Sequence, residues 1–277
     1  MISLKNIIAK SFAYLIVLNI KRSYSRAPKI QDKTLKTLIK KGKKTRFGVE
    51  HSFDKINSAE DYAQNVPVRD YEGIKKYIDE IKGGSKNILW PGKPKYLAKT
   101  SGTTSGAKYI PITKESMPNH ILSSRNALLF YIHETGDTSF LDGKTIFLQG
   151  SPVLEKINGI LLGRLSGIVA HHIPSYLRKN NLPTLKTNSI VGWEEKVNEI
   201  CNETINENMT VIGGIPSWIQ MYFEKLLIKS KKKNIGELFK NLKLYVYGGV
   251  NFSPYEKIFS KLIGKKIKTI EYYPASE

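Results

Sequence analysis

The chain has 277 residues, enough to bury a large core, and 40% of them are hydrophobic, which excludes general disorder. Its formal net charge is +20, because 44 lysine and arginine residues outnumber 24 aspartate and glutamate residues. A single cysteine, Cys201, excludes an internal disulfide and a thiolate metal cluster, and it fits a reducing cytoplasm.

The positive charge allows three interpretations. Arginine is sparse and lysine is spread along the whole length, which is typical of a lysine-rich bias on solvated surfaces. Attraction of anionic ligands or of a membrane surface is the second interpretation, and binding of nucleic acid is the third. The even spread favours the first, so we expect no nucleic-acid partner.

The N-terminal residues contain an apolar run from Phe12 to Ile20, which is too short to span a bilayer. Basic Lys21 and Arg22 follow the run and no small-residue cleavage site is evident, so a secretory signal is not favoured. We expect an amphipathic helix that lies on the domain, without stable insertion into a membrane. A peripheral contact with a membrane is the alternative.

We predict that residues 1–90 form a helical N-terminal segment that packs on the main domain. Apolar residues at helical spacing predict a helix that stops near Gly48. Ser58, with an acidic residue three positions later, predicts the start of the next helix. A third helix is predicted to start at Asp70 and to end at the Gly83–Gly84 pair.

Residues 91–277 predict an α/β domain, because short apolar strands alternate with helices. The strand candidates are "YLAKT", "KYIPIT", "KTIFLQG", "MTVIGG", "LKLYVYGG" and "KKIKTIEYY". This alternation predicts mostly parallel sheets flanked by helices. In such sheets, ligands bind at the carboxyl ends of the strands.

Three helices of this domain have start signals. Thr113 precedes a long helix, and Pro216 occupies the first turn of the helix after "MTVIGG". Ser253, Pro254 and Glu256 match a capping box. The chain ends in "EYYPASE", just after a strand, and this ending predicts a domain truncated in mid-fold.

The stretch "TSGTTSGAK", residues 100–108, combines small hydroxyl side chains with two glycines and a lysine. Glycine lets the backbone approach a phosphate, hydroxyl and amide groups donate hydrogen bonds to its oxygens, and lysine adds charge. Lys108 does not directly follow the second glycine, so the stretch is not a Walker A motif. Because a strand follows the stretch, we predict that the stretch forms the tip of a hairpin and binds a polyanion. Composition alone equally allows a plain surface loop.

"TSGTTSGAKYIPIT" resembles the phosphate-binding loop of the acyl-adenylate-forming enzymes, which include acyl-CoA synthetases, nonribosomal peptide adenylation domains and firefly luciferase. With "LWPGKPKYLAK" before it, the stretch is similar to the auxin-responsive acyl-acid amido synthetases of plants and their bacterial relatives. "YVYGGVNF" (245–252) and "YYPASE" (272–277) resemble two further motifs of that family, in the same order. The resemblance covers nearly the whole chain and implies the large, luciferase-like N-terminal domain of the family.

The resemblance also implies a site for ATP and Mg²⁺. The β- and γ-phosphates would be held by the loop and the lysine after it: Thr100, Ser101, Gly102, Thr103, Thr104, Ser105, Gly106 and Lys108. The adenine would be lined by the residues of the second motif and one of the third: Gly248, Gly249, Val250 and Tyr273. Ser276 would donate to the α-phosphate, and Glu277 would ligate Mg²⁺ through a hard oxygen.

The reaction that the resemblance implies is the ATP-dependent adenylation of a carboxylic acid, followed by transfer of the acyl group to the amine of an amino acid. Positioning and charge neutralisation carry such a step, so no residue is assigned as acid or base. Pro274 stands where many superfamily members have glycine. The family's small C-terminal domain would lie beyond Glu277, so we expect no efficient turnover from this chain alone.

Two other functions stay open. An acyl-CoA-type ligase would keep the adenylation step and use a thiol acceptor. A non-enzymatic basic protein that binds nucleic acid or membrane surfaces would lose binding steeply with salt and would not need Thr103 or Glu277.

Overall fold

The structure is a computed structural model, and it describes residues 4–100, 106–273 and 275–276. The chain forms two compact units: Met1–Val17, Ile121–Val153 and Val169–Ala275 in the first, and Leu18–His120, Leu154–Ile168 and Ser276–Glu277 in the second. Segments of the two units alternate along the chain, and the boundaries between these segments do not coincide with the change from helices to strands near residue 90. The predicted division near residue 90 therefore stays a prediction.

In the described part of the chain, five helices precede the first strand: α1 Leu4–Tyr24, α2 Ala27–Gly42, α3 Arg46–Glu50, α4 Ala59–Asn65 and α5 Tyr71–Lys82. The later elements are β1 Tyr96–Thr100, β2 Lys108–Ile112, α6 Met117–Thr135, β3 Lys144–Leu148, β4 Glu155–Ile157, β5 Ile160–Gly163, α7 Leu165–Ala170, α8 Ser175–Arg178, β6 Asn181–Leu182, α9 Leu185–Asn188, α10 Trp193–Thr204, β7 Met209–Gly214, α11 Pro216–Ser230, α12 Ile235–Leu238, β8 Leu244–Tyr247, α13 Glu256–Ile263 and β9 Lys268–Glu271. Residues Ser139–Asp142 and Ser253–Tyr255 form 3₁₀ turns.

The first unit is built on a five-stranded sheet with the order β6-β3-β7-β8-β9, in which all neighbouring strands are parallel. Its core joins buried strand residues to buried residues of the covering helices, among them Ile146, Ile212, Tyr245, Ile200, Phe223 and Phe259. The predicted strands and the α/β class with a parallel sheet are confirmed.

The second unit contains a four-stranded sheet with the order β2-β1-β5-β4. Strand β1 pairs antiparallel with β2 and parallel with β5, while β4 pairs antiparallel with β5. This smaller sheet is therefore mixed. The predicted hairpin of β1 and β2 is confirmed, because Thr100 pairs with Lys108 across it.

Several predicted helix starts are confirmed by side-chain hydrogen bonds. The Ser58 hydroxyl accepts from the Asp61 N–H at 3.0 Å, and the Asp61 carboxylate accepts from the Ser58 N–H at 3.1 Å. The Asp70 carboxylate accepts from a backbone N–H at the start of α5, and Gly83 caps the end of this helix. The Thr113 hydroxyl accepts from a backbone N–H at 3.0 Å in the turn that leads into α6.

The predicted stop near Gly48 is wrong. Helix α2 ends at Gly42, and Gly48 lies inside the next helix, α3. Thr45 starts this helix, because its hydroxyl accepts from the Gly48 N–H at 3.0 Å. A side chain at Gly48 would clash with the Gly42 carbonyl oxygen, so this glycine allows a close approach of two chain segments and does not end a helix.

The predicted capping box at Ser253 is also wrong. Residues Ser253–Tyr255 form a 3₁₀ turn, and α13 begins at Glu256. Among the described residues, no side-chain hydrogen bond caps either start. The turn is instead fixed by Asn251, whose side-chain oxygen accepts from the Ser253 N–H at 3.0 Å.

Cys201 belongs to the core of the first unit, where it lies on α10 and is 1% exposed. Burial raises the pKa of its thiol to about 11. The thiol therefore stays protonated and unreactive at neutral pH. Cys201 is therefore a buried, structural residue.

Helix α1 packs on the protein through Ala13 and Val17, which are fully buried. The expectation of a helix that lies on the domain is confirmed for this side of α1. Its opposite side is also apolar and not polar, so α1 differs from the expected amphipathic helix. In the described part of the chain, we find no helix whose length and apolar content suffice to cross a membrane.

Candidate functional site

The carboxyl ends of neighbouring parallel strands meet at one edge of the five-stranded sheet. At this edge, β7 leads into Ile215, β8 leads into Gly248 and β9 leads into Tyr272. Segments of the chain far apart in sequence thus come together where α/β proteins bind ligands. We call this region the carboxyl edge.

Gly249 has a backbone conformation that favours glycine. Its φ is +84°, in the left-handed region, which costs a residue with a β-carbon about 1–2 kcal/mol. Space alone does not require glycine, because a β-carbon would lie 3.6 Å from the nearest side chain, that of Ile215. Gly248 is half-buried, and Val250 is exposed. The three predicted adenine-lining residues therefore form an open turn directly after β8.

A second glycine pair, Gly213–Gly214, lies at the end of the adjacent strand β7. The φ of Gly214 is +149°, and its carbonyl oxygen accepts a hydrogen bond from the Tyr245 hydroxyl at 3.2 Å. A side chain at Gly213 would clash with the ring of Phe147. The sequence showed this pair as the end of a strand, and we did not assign it to the site.

Tyr272 and Tyr273, which follow β9, have different surroundings. The Tyr272 N–H donates to the Tyr247 carbonyl at 2.7 Å, and the Tyr272 hydroxyl lies 2.7 Å from the Ser124 hydroxyl. Tyr273 is 90% exposed. Tyr272 therefore fixes the chain at the carboxyl edge, while the ring of Tyr273 is available to a ligand.

Tyr247, at the end of β8, supports the turn that holds Gly248. Its ring stacks on Phe252 with centroids 4.5 Å apart and planes inclined by 25°. Burial raises the pKa of the Tyr247 phenol, and the carboxylates of Glu271 and Glu256 raise it further. The phenol therefore stays neutral at physiological pH.

The hairpin of the second unit carries Thr100, Gly106 and Lys108, the described residues of the loop predicted to hold the β- and γ-phosphates. Lys108 opens β2, and its ammonium lies 5.5 Å from the centroid of the Tyr71 ring. The Tyr71 hydroxyl accepts from the Tyr109 N–H at 2.8 Å. Gly106 has a φ of +79°, and a β-carbon there would meet nothing within 4 Å. Helix α5, which begins at Tyr71, thus positions the start of β2.

Sequence reasoning did not assign Tyr71 or Tyr272 to the site. Tyr71 lies in "VRDYEGIKKYID", where helical periodicity dominated the interpretation, and Tyr272 precedes the tyrosine of the third motif. Neither contact has a local signal, because Tyr71 and Lys108 are separated by a helix and a strand.

The other predicted site residues are distributed as follows. Ser101, Gly102, Thr103, Thr104, Ser105 and Glu277 lie outside the described residues. Ser276 is half-buried and belongs to the second unit, whereas the carboxyl edge belongs to the first. The structure brings Gly248, Gly249, Val250 and Tyr273 to neighbouring strand ends. Their association with the hairpin around one nucleotide stays a prediction.

The sequence matches the family described as GH3 family N-terminal domain over residues 17–268. The chain belongs to the GH3 family. Indole-3-acetic acid-amido synthetase GH3.15 of Arabidopsis thaliana is 35% identical over 140 residues, which are 48% of this chain and 22% of that relative. The resemblance to the amido synthetases that the motifs indicated is thereby confirmed.

Two solved GH3 structures share the fold of this GH3 chain. "AtGH3.15 acyl acid amido synthetase in complex with 2,4-DB" superposes with a TM-score of 0.69 at 16% identity, covering 90% of this chain and 53% of that one. "GH3.15 acyl acid amido synthetase" gives a TM-score of 0.68 with the same identity and coverage. The GH3 chain thus spans about half the length of these solved relatives.

Proposed function

We propose that this GH3 chain contributes to an ATP-dependent acyl-acid amido synthetase, which adenylates a carboxylic acid and transfers the acyl group to the amine of an amino acid. The observation that carries the proposal is membership of the GH3 family over residues 17–268. The carboxyl edge supports it, because an open glycine turn and an exposed tyrosine lie at the strand ends where nucleotides bind.

The proposed nucleotide site fits the residues present. The flat adenine requires a surface with little side-chain bulk, and the turn at Gly248–Gly249 offers one. The exposed ring of Tyr273 would stack on the base. Lys108 and the hydroxyl-rich loop before it would hold the phosphates, and Ser276 would donate to the α-phosphate.

Mg²⁺ belongs to the same proposal, with Glu277 as its protein ligand. The described residues contain no group of three or more His, Cys, Asp or Glu that could hold a metal. A nucleotide-bound Mg²⁺ needs only one or two carboxylates, because phosphates and water complete its octahedron. When bound, Mg²⁺ neutralises negative charge on the phosphate oxygens.

The reaction balances as two substitutions. A substrate carboxylate oxygen attacks the α-phosphorus of ATP, the bond to the β-phosphate breaks and pyrophosphate leaves. The amine nitrogen then attacks the acyl carbon, the bond to the phosphate oxygen breaks and AMP leaves, while the amine proton passes to solvent. The contribution of the protein is to align these groups and to stabilise charge on the phosphates.

The proposal also covers the cellular compartment and the evolutionary lineage of the protein. A single buried cysteine suits the reducing cytoplasm, which we propose as the location. The lineage that we propose is that of a bacterial relative of the plant amido synthetases. The partners would be a small carboxylic acid and an amino acid.

Exchange of labelled pyrophosphate into ATP tests the first step. We expect exchange that depends on Mg²⁺ and on a carboxylic acid in the longest form that the gene encodes, and little exchange with this chain alone. No exchange in the longest form with any acid of a broad panel would contradict the proposal.

The acceptor is tested by supplying amino acids and coenzyme A separately and following AMP release and product mass. We expect an amide product with amino acids. If only coenzyme A were consumed, the second step would form a thioester, and the amide-forming step of the proposal would be wrong.

A further inference from the structure

Helix α1 has a second apolar side that the fold leaves exposed. A helix that is apolar around its circumference is normally buried on all sides. Here Ala13 and Val17 are buried, yet large apolar side chains on the other side are between 52% and 72% exposed: Leu4, Ile7, Ile8, Tyr14 and Leu15. We call these five residues the outer face of α1.

The outer face is one continuous stripe. Leu4 lies three and four residues before Ile7 and Ile8, which in turn lie seven residues before Tyr14 and Leu15, so at about 100° per residue all five positions fall within about 120° of the helix circumference. The buried Ala13 and Val17 are themselves four residues apart, and they lie on the opposite side. The outer face therefore requires a separate apolar environment.

Basic groups border the outer face. Helix α1 contains no acidic residue, and Lys10 and Arg22 are exposed on it. Next to this stripe, the guanidinium of Arg125 from α6 lies 5.6 Å from the ring centroid of Phe12, which is 43% exposed. A partner of the outer face must therefore accept apolar side chains and also supply negative charge.

We propose that the outer face of α1 adsorbs to the surface of an anionic phospholipid bilayer, with the helix parallel to the membrane plane. Lipid phosphates would pair with the basic groups, and the acyl boundary would take up the apolar side chains. A second copy of the chain fits less well, because two molecules with a formal charge of +20 repel each other. Nucleic acid would offer nothing to the apolar stripe.

Sedimentation with vesicles tests the proposal on the whole chain. We expect binding to phosphatidylcholine vesicles that contain phosphatidylserine, little binding to phosphatidylcholine alone, and at least about tenfold weaker binding in high salt. Ile8→Glu and Leu15→Glu should each weaken binding at least about tenfold, because a carboxylate replaces an inserted apolar group.

Ile228→Glu is the matched control, because Ile228 is 80% exposed on α11 and the charge change is identical. We expect it to bind within about twofold of the parent chain. Circular dichroism and a thermal melt verify that each variant is folded. Lys10→Glu tests the electrostatic part through an exposed side chain, and we expect it to weaken binding as well.

Three results would overturn the proposal. One is the absence of enrichment on phosphatidylserine vesicles. Another is equal binding by the Ile8→Glu and Ile228→Glu variants. The third is concentration-dependent self-association, or loss of vesicle binding in a longer form of the polypeptide, because either would show that protein covers the outer face.

Discussion

At the scale of single residues, the carboxyl edge depends on a backbone conformation that few side chains tolerate. Gly249 is held at a φ of +84° directly after a buried strand, and the space around it is open. Gly136 has a similar φ of +67°, and a β-carbon there would meet nothing within 4 Å, but it lies after α6 and away from the carboxyl edge. Alanine substitutions at the two glycines therefore separate the effect of backbone strain from the effect of a lost ligand contact.

Gly249→Ala is expected to lower the affinity for ATP at least about tenfold, because strain of about 1–2 kcal/mol would distort the turn proposed to face adenine. Gly136→Ala should lose comparable thermal stability and keep its affinity for ATP. Calorimetric titration with ATP and a thermal melt measure both quantities. Equal losses of affinity in the two variants would argue against an adenine site at this turn.

Tyr71 is expected to position Lys108 for the phosphates. Tyr71→Phe keeps the ring beneath the ammonium and removes the hydroxyl that accepts from the Tyr109 N–H, which costs about 1 kcal/mol of stability. Tyr71→Leu removes the ring as well, so its affinity for ATP should fall several-fold below that of Tyr71→Phe.

The comparison of the two Tyr71 variants is made by the KM for ATP in the exchange assay and by chemical denaturation. A purely structural role would lower stability in both variants without separating their KM values. A rise in KM that follows the loss of the ring supports a positioning role.

At the scale of elements, strands β3 and β7 fit together through an aromatic ring that covers a glycine. Phe147 lies opposite Gly213 in the parallel register, and its ring occupies the space where a β-carbon of residue 213 would be. Such a pair is a known way to protect a glycine within a sheet. It also explains why "MTVIGG" has glycine at a position where a strand would otherwise favour a β-branched residue.

Gly213→Ala is expected to destabilise the protein by about 1–3 kcal/mol, because the added methyl group overpacks the pair and displaces the ring. Combining it with Phe147→Ala should recover part of that loss, so the double-mutant cycle should be non-additive. Urea denaturation of the four proteins measures the coupling. Strict additivity would show that the ring does not constrain Gly213.

At the scale of the whole molecule, buried phenols and one buried thiol link stability to alkaline pH. Burial raises the pKa of Tyr222 and Tyr245 far above their ordinary value and raises the pKa of Cys201 to about 11. Each group binds its proton more tightly in the folded chain than in the unfolded chain. The contribution of the protonated thiol to the free energy of unfolding is therefore fully present below about pH 9, which is the ordinary pKa of a cysteine thiol. It is lost as the pH rises through about 11, the pKa of Cys201 in the folded chain.

Stability is expected to fall between about pH 9 and pH 11, and Cys201→Ala should make this fall shallower while changing little at neutral pH apart from a small cavity effect. Melting temperatures across this pH range measure the slope for both proteins. Parallel slopes for the parent and the variant would contradict a contribution from the thiol. In the parent protein, a thiol reagent should react with Cys201 only after the chain has unfolded.

The amino-acid sequence by itself predicted strands β1, β2, β3, β7, β8 and β9, the hairpin of β1 and β2, and the start of α4 at Ser58, whereas β4, β5 and β6 were not predicted. It also pointed to the GH3 family, because the motifs that carry this resemblance are continuous stretches. These features depend on local periodicity and turn chemistry, which neighbouring residues specify. The same reasoning failed at Gly48, which lies against the Gly42 carbonyl oxygen inside a helix, and at Ser253, where the Asn251 side chain fixes a 3₁₀ turn.

Only the tertiary structure decided the sheet order β6-β3-β7-β8-β9, the parallel pairing of β1 with β5, and the contacts of Tyr71 and Tyr272. It also left the outer face of α1 exposed, although the apolar run was visible in the sequence. The physical reason is that each of these features joins segments that are distant along the chain. Their association depends on which surfaces are buried together, and this is not encoded in the spacing of any one segment.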